Sequence, residues 1–137
     1  MNGIIVIFAS KLLEDVIRVM ENYEDYSESG RFLTERRYLI FGDGKESNGY
    51  AYLPKTYALD KPYLADEYWQ SEDFGLDDYI WMEIEYRGKP SLEVFSGVFK
   101  VNEIPGLFVT DSMRVVDLWD IDALWNQLLI EGDVYEQ

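Results

Sequence analysis

Tyr79-Ile80-Trp81-Met82-Glu83-Ile84-Glu85-Tyr86 carries the clearest strand signal in the chain. In an extended chain, Ile80, Met82, Ile84 and Tyr86 point one way. Tyr79, Trp81, Glu83 and Glu85 point the other. A period of two predicts a strand. Alternating Glu on an antiparallel strand marks its solvent face.

Reading outward from this strand gives the rest of the sheet. Arg87, Gly88, Lys89 and Pro90 read as a turn, and Leu92 to Val101 as a returning strand with Gly97 as a bulge. Pro105 and Gly106 form another turn. Leu107 to Thr110 and Met113 to Val116 then read as one further strand or two short ones. Upstream, Arg37 to Phe41 predicts a strand, Gly42 to Gly49 is turn chemistry, and Tyr50 to Leu53 is the hairpin partner. Ile4 to Phe8 is a short β-branched run, expected to be buried on both faces.

Helices are expected at both ends. Ser10 is placed to cap the first, whose Leu13, Val16, Ile17 and Met20 follow the i, i+3, i+4, i+7 spacing of a buried stripe. Glu14 and Arg18 form an i, i+4 pair on its outer face. The helix ends between Tyr23 and Tyr26, and Ser27 to Gly30 form a loop. Leu64 to Ser71 has the character of one or two helical turns. At the other end, Asp120 is a good N-cap and Asp122 suits the first turn. Ile121, Leu124, Trp125, Leu128 and Leu129 make the stripe, and Gly132 terminates the helix. The pattern predicts an α+β fold: an antiparallel sheet of five to six strands packed against an N-terminal and a C-terminal helix, as one domain over residues 1–137.

Composition narrows the chemistry. The chain has 137 residues, 47% of them hydrophobic, enough to build one core. It has no Cys, which excludes disulfides, thiol catalysis and thiolate metal sites, and no His, which removes the commonest general base and zinc ligand. Against 12 basic residues stand 27 acidic ones, a net charge of −15. That balance disfavours direct contact with nucleic acid or an anionic membrane. The apolar run Gly3 to Ala9 is too short for a membrane span and lacks the positive flank of a secretory signal, so a cytoplasmic location is expected.

The charge is unevenly placed. Residues 66–86 carry eight acidic and no basic side chains, and residues 117–137 carry six and none, so these two segments hold nearly all of the excess. The first of them interleaves aromatics with carboxylates: Asp66, Glu67, Tyr68, Trp69, Glu72, Asp73, Phe74, Asp77 and Asp78. Tyr and Trp are enriched at binding hot spots, and like charge so concentrated is relieved by a partner of opposite sign. These nine residues are the main candidate contact surface for a basic protein. Asp117, Asp120, Asp122 and Glu131 are the second. The plain alternative is a solvated acidic surface that serves solubility.

Enzyme readings are weaker. Glu83 and Glu85 share a strand face with Trp81, the minimum for a two-carboxylate glycosidase with a stacking aromatic. Asp117, Asp120 and Asp122 give D-x-x-D-x-D, which does not match the Ca²⁺-loop spacing, and capping already accounts for two of them. Gly42-Asp43-Gly44-Lys45 fits neither phosphate-loop pattern. No cofactor and no metal are expected.

Asp122-Ala123-Leu124-Trp125 resembles a short stretch of barstar-type ribonuclease inhibitors, over these four residues. In that family an acidic helix docks in the active site of a basic nuclease. Asn126 departs from the pattern, standing where the family has a second acid. The expectation is a non-enzymatic protein that neutralises a basic partner, such as an immunity protein against a nuclease toxin. A DNA-mimic inhibitor and a carboxylate-based hydrolase are the alternatives.

Overall fold

A computed structural model describes residues 2–22, 26–29, 36–41, 49–54 and 79–134. Strand β1 (Asn2–Ala9) runs antiparallel to β5 (Tyr79–Tyr86) over their full length, from Asn2 opposite Tyr86 to Ala9 opposite Tyr79. The other edge of β1 pairs with β6 (Leu107–Val109), which pairs in turn with β7 (Val115–Asp117). On the far side of β5 the backbone ladder continues through β4 (Gly49–Pro54), β3 (Arg36–Phe41) and β2 (Tyr26–Ser29). The sheet order is β2-β3-β4-β5-β1-β6-β7, antiparallel throughout.

The α+β class and the antiparallel sheet are as expected. The count of five to six strands is not. Ser27, Glu28 and Ser29, expected in a loop, lie in β2, and of the two readings for the segment after Pro105 the second holds: two short strands.

The larger correction concerns Leu92 to Val101. This segment is not a strand but most of a helix, α2 (Lys89–Val101), and Gly97 is no bulge. Ser91 is buried at its start, and Leu92, Phe95, Ser96 and Phe99 form its buried stripe at i, i+3, i+4 and i+7. The residues read as a turn start it. Gly88 is extended at the N-cap, Pro90 sits where no helical N–H is needed, and the Ser91 hydroxyl donates to the Gly88 carbonyl at 2.7 Å. Val94, Phe95, Val98, Phe99 and Val101 give the segment β-forming composition, and tertiary packing overrides that preference. A mid-helix glycine costs about 1 kcal/mol against alanine. A Cβ on Gly97 meets nothing within 4 Å. Gly97→Ala is therefore expected to raise stability by about 0.5–1 kcal/mol in a urea titration; a loss of stability would contradict the helix.

The three α-helices among the described residues stand on one face of the sheet. α1 (Leu13–Glu21) contributes Val16 and Met20, with Leu13 and Ile17 partly buried beside them. α2 contributes Leu92, Phe95 and Phe99. α3 (Ile121–Glu131) contributes Ile121, Leu124 and Leu128. Beneath them lie Ile4, Val6 and Phe8 of β1, Ile80, Met82, Ile84 and Tyr86 of β5, and Phe108 of β6. Ring centroids of Phe8 and Phe99 are 5.2 Å apart, and those of Phe95 and Phe99 5.0 Å, inside the favourable range for tilted aromatic pairs.

Two local expectations at α1 fail. Ser10 does not cap it; Ser10–Leu12 form a 3₁₀ turn that leads straight into the helix, with no side-chain cap bond. Arg18 pairs with Asp15 at 3.1 Å rather than with Glu14. At α3 the expectation holds. Asp120 accepts the Ala123 N–H at 3.0 Å, and Gly132 closes the helix in the left-handed conformation, φ 78°.

Candidate functional site

The main acidic surface expected from sequence lies outside the described residues: Asp66, Glu67, Tyr68, Trp69, Glu72, Asp73, Phe74, Asp77 and Asp78. So does the Leu64 to Ser71 segment. The second set, Asp117, Asp120, Asp122 and Glu131, is described, and each member has a local structural task.

Asp117 accepts the Trp119 N–H at 2.8 Å and shapes the turn that leaves β7. Asp120 is the α3 N-cap. Asp122 takes the Lys89 ammonium at 2.7 Å and so ties the starts of α2 and α3 together. That hydrogen bond, helped by the attraction of the two charges, holds the Asp122 carboxyl below its ordinary value and Lys89 above its own. All three aspartates remain exposed. They are drawn to three different donors, and among the described residues no group of three carboxylates is set to hold a metal ion.

Glu131 stands apart, nine residues along α3 from Asp122, which at ~1.5 Å per residue is about 14 Å. It is half-buried against the β6–β7 turn. Its carboxylate accepts from the Ser112 N–H at 3.1 Å and from Gln127 at 2.8 Å. Burial works against its ionisation, but bonds from Gln127, Thr110 and Ser112 outweigh it and hold the carboxyl below its ordinary value. Thr110 is itself buried, and its hydroxyl accepts the Arg114 N–H at 3.1 Å. Glu131 thus pins the turn to the end of the helix. Asp111 and Asp133 lie close by. Burial first, then the charges of Asp111 and Glu131, raise Asp133.

The sign for Glu131 is set by that lowering. Its stabilisation is complete above the ordinary carboxyl value of 4.5 and is lost as pH falls through its lower folded value. Glu131→Ala is expected to cost about 1–2 kcal/mol at neutral pH, read by urea melts, with the difference shrinking in acid. A difference that is constant with pH would exclude a role for the ionised carboxylate.

The remaining readings of β5 change too. Trp81 is not presented for stacking on a sugar. It is 9% exposed, packed with Ile7, Tyr79 and Val109 on the sheet face away from the helices. The face expected to meet solvent is buried over its first half, and of the two carboxylates Glu83 is exposed and Glu85 half-buried. The segment Asp122–Trp125 is the first turn of α3, where Leu124 is core and Trp125 is half-buried.

One concavity among the described residues has no counterpart in the sequence reading. A groove of about 310 Å³ opens between α1 and the turn that follows α2. Leu12, Asp15, Arg18, Val19 and Asn22 line one wall. Asn102, Glu103 and Ile104 line the other. The turn is held at every residue. Glu103 N–H donates to Lys100 O at 3.0 Å and Ile104 N–H to Phe99 O at 2.9 Å, the pairing of a helix C-cap. The Asn102 amide donates to Val98 O at 2.7 Å, and the Trp119 indole N–H to Ile104 O at 2.9 Å. Glu103 occupies the left-handed position, φ 57°, where glycine is usual. A strand over residues 92–101 implies no C-cap after it, so the strand pattern of the sequence carries no signal for this wall.

No helix among the described residues is long and apolar enough to cross a membrane. Comparison with known proteins finds no matching family model, no matching curated relative and no matching solved structure.

Proposed function

We propose that this chain is a non-enzymatic acidic module that binds and neutralises a basic protein, in the manner of an immunity protein against a nuclease toxin. The observation that carries the reading is that nearly all of the −15 net charge sits in residues 66–86 and 117–137. A nuclease presents a cationic surface to the phosphates of its substrate. Carboxylates covering that surface exclude the substrate and steer the encounter. In this reading Tyr68, Trp69 and Phe74 supply the desolvated anchors, and the flanking acids from Asp66 to Asp78 supply the charge. Asp117, Asp120 and Asp122 at the start of α3, and Glu131 in its last turn, act through their field, since each is already bonded within the chain. The burial of Trp81 takes away the stacking group on which a glycosidase reading relied.

Capture of proteins from the source strain at low and then high salt tests this. One basic protein, released by salt and with association slowed about tenfold or more, is the expected result. Capture of many DNA-binding proteins would replace the reading with that of a DNA mimic. Capture of nothing at low salt would end it.

A further inference from the structure

We draw no further inference here: the strongest candidate, the apolar sheet face away from the helices where Ile7, Tyr79, Trp81 and Val109 cluster, carries nothing because no described residue shows what covers it.

Discussion

Phe99→Ala is expected to lower the free energy of unfolding by about 3–5 kcal/mol, the range for removing a large aromatic from a packed core. Phe99 is fully buried, at 0% exposure, and its ring stacks at a tilt on Phe8 from β1 and on Phe95 from its own helix. Its loss takes away both aromatic pairs and leaves a cavity at the junction of α2 with β1. The informative comparison is with Val101→Ala. In a strand, residues 99 and 101 project to the same face and would be felt similarly. In a helix they are about 200° apart, so Val101, 83% exposed, should change stability by less than about 0.5 kcal/mol. Urea titrations should show a lower midpoint with an unchanged slope for Phe99→Ala and almost no change for Val101→Ala. Comparable losses would return residues 92–101 to a strand.

That pair of residues also shows what was legible in the sequence. Tyr79 to Tyr86 was readable because every second residue is apolar and that side faces one cluster, with Ile80, Met82, Ile84 and Tyr86 all under the helices. Helix α3 was readable because its stripe, cap and terminating glycine agree. Helix α2 was not, because its stripe of Leu92, Phe95, Ser96 and Phe99 includes a serine that looks polar. Ser96 is buried with its hydroxyl donating to Leu118 O at 2.7 Å, a partner 22 residues away that no local pattern reveals. The carboxylates divide in the same way. Asp120 could be assigned as a cap from its place before an apolar stripe. Glu131 could not be recognised as the anchor of the β6–β7 turn, since its donors Thr110 and Ser112 lie about twenty residues earlier, in that turn rather than in its own helix. Net charge shows that a chain is acidic; only geometry shows which acids are already engaged at home.

Gly106→Ala is expected to cost about 1–3 kcal/mol, although it adds a single methyl group. A Cβ there would stand 2.9 Å from the Ile7 carbonyl oxygen and 3.0 Å from both Leu118 Cδ2 and Phe8 Cδ1. Side chains can turn aside, but the Ile7 oxygen belongs to the backbone of β1, which is paired on both edges, with β5 and with β6. It can yield only if the sheet yields. The Gly106 carbonyl also accepts the Leu118 N–H at 2.9 Å, so a shift of this residue loosens the start of the β6–β7 ladder as well. The cause is close approach, not backbone handedness, and Gly132 provides the contrast. There φ is +78° and nothing lies within 4 Å of an added Cβ, so Gly132→Ala should cost about 1–2 kcal/mol through conformation alone. Gly132→Asn should recover part of that, because Asn tolerates the left-handed region, whereas Gly106→Asn should be worse than Gly106→Ala. Thermal or urea melts of the four variants would separate the two mechanisms. Gly106 also joins the groove wall at Asn102–Ile104 to β1. Its replacement should therefore shift the amides of that wall, and an unperturbed wall with unchanged stability would show that the contact at Ile7 is looser than 2.9 Å.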